Sequence, residues 1–262
     1  MNRLNIILAL LIATVTLSAC SMFTQSNQEN RFGLTPDQTS AQDRARIHTE
    51  LGAGYYSRGQ YAIALDELKQ ALSANDRYAP AYDMRGLVYM ALAENKKAEE
   101  SFLRALDLSP EQPEIHNNYG WFLCSRNRLD AAMSQFNIAL NNPLYTSPGS
   151  ALTNAGICSL KANKTALAQA YFERSLKFDP NQAQALYELA NIYYHQGQLA
   201  QARTLISRFF EYNEPTAQAL WLGIRLARKQ NDHDTEASYA LLLRNRFADA
   251  PETQLLLQGK YD

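Results

Sequence analysis

Residues 79–112 read APAYDMRGLVYMALAENKKAEESFLRALDLSPEQ, and this stretch decides the fold. Gly86 and Ala98 are small residues at points where two amphipathic helical segments would approach each other closely. Aromatic side chains stand near them and would fill the remaining space (Tyr82, Tyr89 and Phe102). Pro110 cannot continue a helix and disfavours helical backbone at Ser109. The stretch therefore predicts a hairpin of two helices.

The same pattern recurs along the chain. Gly52, Gly86 and Gly120 are evenly spaced, and Gly156 follows two positions later than this spacing predicts, which indicates a short insertion near 142–148. The pattern resembles the tetratricopeptide (TPR) repeat, a helix–turn–helix unit of about 34 residues. We predict an all-α, right-handed superhelix of about six TPR repeats in a domain of residues 45–262, with repeats at about 45–78, 79–112, 113–146, 149–182, 183–215 and 216–250.

The last two repeats depart from the pattern. Ala190 stands where glycine is expected in repeat 5. In repeat 6, we expect the segment 231–235 to contain extra residues relative to the other repeats. A last repeat with a degenerate sequence is typical of a solenoid, because the terminal repeat is a cap with one side facing solvent.

The start of the chain predicts a secretory signal peptide at residues 1–19. Arg3 precedes an almost wholly apolar run at residues 4–17, which is too short to span a membrane. The run ends in LSAC, which resembles the lipobox of bacterial lipoproteins and implies cleavage before Cys20 and acylation of that cysteine. Ser21 is not aspartate, which favours the outer over the inner membrane. An ordinary secreted protein with a chance cysteine is the alternative.

Residues 20–44 are predicted to form a lipidated N-terminus and a flexible tether. From residue 21 onward this segment is polar, rich in Gln, Asn, Ser and Thr, and without a sustained helical period. Two or more acyl chains anchor a protein stably to a bilayer. The alternative is an irregular segment packed on repeat 1 through Phe32 and Leu34.

The charge and motif content exclude several classes of function. The chain has 25 Lys and Arg against 26 Asp and Glu, so no large basic field attracts nucleic acid. It contains no common catalytic, phosphate-binding or metal-binding motif. We expect no enzymatic activity, cofactor, metal or small-molecule substrate. A hidden hydrolytic site around His116, Asn117 and Trp121 is the alternative.

Two cysteines fall inside the repeats. Cys124 and Cys158 lie in the first helices of repeats 3 and 4, which are neighbours in a solenoid. A disulfide between them would need Cα atoms about 4.4–6.8 Å apart and an oxidising compartment. Two buried free thiols are the alternative.

The first helices of TPR repeats line the concave face of the superhelix, where we expect a partner to bind. Their inner positions carry apolar, aromatic and amide side chains, which suit a peptide. The alternative is that Met90 and Trp121 are covered by neighbouring helices. The predicted partner-binding groove comprises Tyr56, Asp83, Leu87, Met90, Asn117 and Trp121.

Several segments resemble the PilF/PilW family of type IV pilus biogenesis lipoproteins. The resemblance covers about residues 45–262 and the lipobox. The segments that carry it are NNYGWFLC at 117–124, PLY at 143–145, NAGIC at 154–158, LWLG at 220–223 and YALLLRNRF at 239–247.

This resemblance implies a pilotin-type lipoprotein, anchored by lipid at the periplasmic face of the outer membrane. Such a protein binds the secretin subunit of the type IV pilus through a groove toward the earlier repeats. It promotes the localisation and multimerisation of the secretin and has no enzymatic activity. The resemblance also implies that Cys124 pairs with Cys158. Another periplasmic TPR adaptor, a scaffold for peptidoglycan hydrolases or for outer-membrane assembly, is the alternative.

Overall fold

The computed structural model of the chain describes residues 36–261. The predicted signal peptide, Cys20 and the segment up to residue 35 lie outside the described residues. Within the described part, thirteen α-helices follow one another and no strand occurs. The helices are α1 (Pro36–Ser57), α2 (Tyr61–Ala74), α3 (Ala79–Ala91), α4 (Asn95–Leu108), α5 (Pro113–Ser125), α6 (Leu129–Asn141), α7 (Pro148–Lys161), α8 (Thr165–Phe178), α9 (Ala183–His195), α10 (Leu199–Tyr212), α11 (Ala217–Lys229), α12 (His233–Arg246) and α13 (Pro251–Leu257).

The helices form two layers. From α1 to α12, each odd-numbered helix packs most closely against the even-numbered helix that follows it. Successive odd-numbered helices also contact one another, whereas no two even-numbered helices do so within residues 36–261. The odd-numbered helices are therefore the inner layer of a curved stack. The predicted all-α solenoid of helix–turn–helix repeats is confirmed.

The first helix begins earlier than expected. Residues 36–44 belong to α1, so the prediction of a flexible tether up to residue 44 is wrong over these residues. A proline is tolerated in the first turn of a helix, where its missing N–H has no intrahelical partner to lose. Ala45 is fully buried, and Asn75 Nδ2 donates a hydrogen bond to Gln42 Oε1 at 2.6 Å. These contacts hold the polar extension against the end of α2.

Each hairpin closes around a small residue on its inner helix and a larger one sixteen positions later. A Cβ atom added at Gly86 would lie 2.7 Å from Phe102 Cε1, so only glycine fits beneath that ring. In repeat 5 the pair is Ala190 and Ile206, which are buried in one core cluster. The methyl group of Ala190 is accommodated because the facing side chain is isoleucine instead of an aromatic ring.

The turn inside each hairpin has three residues, and its middle residue has a positive φ angle. These residues are Gly59, Ala93, Asn127, Asn163, Gly197 and Asn231, with φ between 56° and 74°. The turn of repeat 6 is therefore as long as the others, and the prediction of extra residues at 231–235 is wrong. Asparagine tolerates the left-handed region better than most residues do, and Asp232 caps α12 by accepting from the Thr235 N–H at 3.2 Å.

Two features interrupt the regular stack. Residues 142–147 connect α6 to α7 with six residues, where the other connections between repeats have four. Tyr145 in this connection is buried beside Ala139 and Ala151. At the far end α13 packs on α11 and α12 and covers the last repeat. Among residues 36–261, no helix combines the length and apolar character that a membrane span requires.

Candidate functional site

One position of the inner helices defines a continuous row across the concave face. The row consists of Leu87, Trp121, Ile157, Asn191 and Arg225, which occupy the same position in five successive repeats. All five are half-buried, so each keeps part of its side chain accessible. We call this row the inner stripe. It is apolar in its first three members, polar in the fourth and cationic in the fifth.

The apolar half of the inner stripe coincides with the predicted groove. Leu87, Met90 and Trp121 are half-buried and pack against the edge of one core cluster. Lys161 Nζ lies 5.9 Å from the centroid of the Trp121 ring. Tyr56, which is also half-buried, extends this surface toward α1. The alternative that neighbouring helices cover Met90 and Trp121 therefore holds only in part.

Asp83 and Asn117 do not lie open in the groove. Each is 8% exposed. Asn118 Nδ2 donates to Asp83 Oδ2 at 2.8 Å, and Asn154 Nδ2 donates to Asn117 Oδ1 at 3.0 Å. These bonds join α3 to α5 and α5 to α7 because the inner helices approach one another at these positions. Both residues thus hold the groove together and offer a partner little surface.

The Asp83 carboxyl is an unusual group in this position. Its pKa is raised to about 7, chiefly by burial and to a smaller extent by the charge of Glu114, while the hydrogen bond from Asn118 opposes the rise. Its Oδ1 atom has no hydrogen-bond partner within residues 36–261. An ionised carboxylate is costly in such a place. The protonation state of Asp83 is therefore coupled to folding.

The structure brings the two cysteines of the repeats together. Cys124 on α5 and Cys158 on α7 are fully buried, and their Cα atoms are 5.7 Å apart. This separation lies inside the range of about 4.4–6.8 Å that a disulfide requires. The expectation that their helices are neighbours is confirmed, and oxidation of the pair stays a prediction.

The residues named for a hidden hydrolytic site do not form one. His116 is 7% exposed. Its ring nitrogens lie 2.7 Å from Gln135 Oε1 and 2.8 Å from the Pro110 carbonyl oxygen, so neither nitrogen is free to act as a base. Within the described helices, no group of three His, Cys, Asp or Glu side chains is arranged to hold a metal.

The cationic end of the inner stripe is not among the residues predicted from the sequence. Arg225 and Lys229 on α11 lie beside Tyr194 on α9. The available signal is that Arg225 follows Asn191 at the regular repeat spacing. The predicted start of repeat 6 at residue 216 hides this signal, because it places the last repeat one residue out of register with the inner helix that begins at Ala217.

Comparison with known proteins places the chain in a family. Models of the tetratricopeptide repeat match residues 84–151 and 159–220. The type IV pilus assembly protein PilF of Pseudomonas aeruginosa is 33% identical over 213 residues, which are 81% of this chain and 84% of that protein. The chain belongs to the PilF family. The family predicted from the sequence is thereby confirmed.

Solved structures of PilF-family proteins have the same architecture. The structure of Pseudomonas aeruginosa PilF matches with a TM-score of 0.76 and 32% identity, over 85% of this chain and 99% of that one. The structure of PilW, described as a widely conserved type IV pilus biogenesis factor, matches with a TM-score of 0.71 and 35% identity, over 81% and 98%. The TPR solenoid of this PilF-family member is therefore shared along nearly the full length of both.

Proposed function

We propose that this protein is a pilotin-type scaffold for a type IV pilus. It binds the secretin subunit and promotes the localisation and multimerisation of the secretin in the outer membrane. The observation that carries this proposal is the 33% identity to a type IV pilus assembly protein across 84% of that protein's length. The match extends over the TPR solenoid, whose concave face supplies the binding surface.

The apolar part of the predicted groove, which consists of Leu87 and Trp121 of the inner stripe together with Met90, is the proposed contact surface. Leu87, Met90 and Trp121 offer accessible apolar area, and burial of such area contributes about 25 cal/mol per Å². Asp83 and Asn117 act behind this surface by fixing the spacing of α3, α5 and α7. A partner segment therefore meets a groove whose shape is set in advance, which lowers the entropic cost of binding.

Lipid on Cys20 is the proposed anchor. An anchored scaffold and a secretin that reaches the same membrane share a small volume, so the effective concentration of each for the other is high. A modest affinity of the groove then suffices for assembly. The anchor decides where the secretin assembles, and the groove decides whether it is bound.

The proposal is tested by following the secretin in cells that lack this protein. Membrane fractions are separated, and heat-resistant secretin multimers are distinguished from monomers on gels. We expect multimers to be lost or to accumulate in the inner membrane. Unchanged multimers in the outer membrane would contradict the proposal and favour a different periplasmic adaptor.

Complementation of the deletion strain separates groove from anchor. Leu87→Ala on the inner helix of repeat 2 should restore fewer multimers than Leu103→Ala, a matched change at a leucine on the outer helix of the same repeat that is 49% exposed. Cys20→Ala should leave groove binding intact and misplace the secretin. Normal placement of the secretin by the Cys20→Ala variant would rule out the role of the anchor.

A further inference from the structure

Arg225 occupies an unusual place at the end of the inner stripe. Its Cζ atom lies 4.7 Å from the centroid of the Tyr194 ring and 6.0 Å from that of Trp221. Its Nε–H is buried and has no acceptor within residues 36–261. Trp221 is held in turn by a stacked ring, Tyr261, at a centroid distance of 5.6 Å. The guanidinium group is therefore positioned by aromatic rings, and its donors are not used by the carboxylates of the described chain.

Two acidic side chains of this region, Glu188 and Glu252, form no ion pair with Arg225 within the described residues. Burial raises the pKa of the Tyr187 hydroxyl. The charges of Glu188 and Glu252 raise this pKa as well, whereas the charge of Arg225 lowers it. Neither carboxylate lies within 4 Å of an Arg225 nitrogen in the described part of the chain, where the ion pairs of α11 involve only Arg228. Glu188 instead accepts a hydrogen bond from Gln184 at 2.8 Å.

A row of basic side chains runs beside Arg225. Lys161, His195 and Lys229 occupy one position of three successive repeats and lie in the last turns of α7, α9 and α11. All three are exposed, and none forms an ion pair within residues 36–261. Lys229 Nζ lies 4.9 Å from the centroid of the Tyr194 ring, on the same residue that Arg225 contacts.

The helix dipole explains only part of this arrangement. Cationic side chains are favoured in the last turn of any helix, which accounts for Lys161 and Lys229 in this row. It does not account for Arg225, which lies a full turn earlier and leaves a buried donor without a partner in the described chain. Arg225 as a whole is only half-buried and forms no ion pair within residues 36–261, so the accessible part of its guanidinium group is available to an acceptor that a ligand supplies.

We propose that the concave face of repeats 4–6 binds an acidic peptide segment through Arg225 and the adjacent basic row. Arginine donates to a carboxylate through two parallel N–H groups, and Lys229 adds a second charge close by. The half-buried Tyr187 ring contacts the apolar atoms of the segment between its carboxylates, whereas the buried Tyr194 ring holds Arg225 and Lys229 in place. This site adjoins the apolar groove of repeats 2 and 3, where Lys161 Nζ lies 5.9 Å from the Trp121 ring centroid, but it does not depend on the secretin as partner.

The shape of the surface favours a peptide over other anions. A concave face does not meet a flat bilayer along its length, so anionic lipid headgroups do not reach the row together. Four basic groups are too few for the multiple phosphate contacts that hold a nucleic acid. An extended peptide can follow the inner stripe from one repeat to the next, and clusters of arginine recognise acidic segments in other peptide-binding proteins.

The test measures binding of a short fluorescein-labelled peptide of alternating leucine and glutamate to the purified protein, by fluorescence anisotropy. The same peptide with glutamine in place of glutamate should bind at least about tenfold more weakly, because charge-assisted hydrogen bonds are lost. Arg225→Gln should weaken binding of the glutamate peptide by about tenfold or more, and Lys229→Gln by less. Lys177→Gln changes a last-turn lysine on the outer helix α8 and should have no effect.

Equal binding of the two peptides, or equal losses in Arg225→Gln and Lys177→Gln, would overturn the proposal. If Arg225→Gln lowers the melting temperature, Lys229→Gln decides the question, because Lys229 is exposed. Sedimentation with phosphatidylglycerol vesicles tests the other source of anions. Vesicle binding that Arg225→Gln abolishes, without binding of the glutamate peptide, would likewise overturn it.

Discussion

Gly156 lies directly beneath the ring of Phe172, so closely that a Cβ atom at position 156 would be 2.5 Å from Phe172 Cε1. Phe172 is fully buried, and a ring in a close-packed core has little room to move away. Gly120 has the same relation to Phe136, at 2.8 Å. The approach of the two helices in these hairpins is therefore set by the missing side chain.

Gly156→Ala should destabilise the protein by about 1–3 kcal/mol, the usual effect of overpacking a core. The midpoint of urea unfolding measures it. Gly54→Ala is the control, because the nearest atom to an added Cβ there is Arg58 Nη2, at 3.7 Å. Replacing this helical glycine should be neutral or stabilising by up to about 1 kcal/mol. Equal midpoints for the two variants would show that Phe172 moves freely.

Ala93→Gly should stabilise the protein by about 1 kcal/mol, because Ala93 has a φ angle of 58° in the left-handed region, which costs an ordinary residue about 1–2 kcal/mol. Glycine adopts this conformation without the steric cost, although it adds entropy to the unfolded chain. Gly59→Ala is the reverse change, at a φ angle of 72° with no atom within 4 Å of an added Cβ. It should destabilise by a similar amount, and thermal melts that order the two variants the other way would refute the argument.

Asp83→Asn should remove a pH dependence of stability. The folded-state pKa of Asp83 is about 7, above the value of about 4 in an unfolded chain, so the folded state binds more protons between these values. The contribution of Asp83 is therefore most favourable below about pH 4 and is lost as the pH rises to 7, by up to about 4 kcal/mol.

The free energy of unfolding, measured from about pH 5 to 8, should fall more steeply in the wild type than in the Asp83→Asn variant. The variant should be the more stable protein above pH 7, because it carries no buried carboxylate. Asp66→Asn changes an exposed aspartate on α2 and should keep the wild-type slope. Parallel curves for wild type and Asp83→Asn would mean that Asp83 is solvated in the folded protein.

Oxidation of Cys124 and Cys158 should stabilise the folded state. Closing a loop with a sequence separation of 34 contributes about 3–4 kcal/mol on the chain-entropy model. A reductant should lower the urea midpoint of the wild type and leave the double variant Cys124→Ala/Cys158→Ala unchanged. Detection of both thiols as free groups in unreduced, denatured protein would contradict this prediction. Cys124 and Cys158 would then be unpaired side chains that pack in the core as small hydrophobic groups.

Much of the fold is readable from the sequence because each repeat carries its own packing signal. Gly86 and Phe102 define one hairpin without help from the rest of the chain, and the same spacing recurs in its neighbours. The start of α1 escapes prediction because residues 36–44 are polar and have no apolar period. Contacts with the end of α2 make this segment helical. Repeat 6 is harder to read because Gly223 and Tyr239 lie one position earlier, relative to the turn residue Asn231, than the paired residues of the other repeats.

The groove is less predictable than the fold. Repeat position tells which way a side chain points but does not tell how closely the next inner helix approaches it. Leu87 and Trp121 keep accessible surface, whereas Asp83 and Asn117 are covered by hydrogen bonds to neighbouring helices. These bonds depend on asparagines supplied by other helices, at positions 118 and 154, which no single repeat reveals.

The layered contacts also determine how the chain reaches its folded state. No helix within residues 36–261 contacts one that is more than two helices away along the chain. The contact order is therefore low, and closing a native contact never requires distant segments to meet. Folding can begin at any hairpin and spread to its neighbours. During synthesis, which proceeds from the N-terminus, the chain can complete each hairpin before the residues of the next hairpin are available.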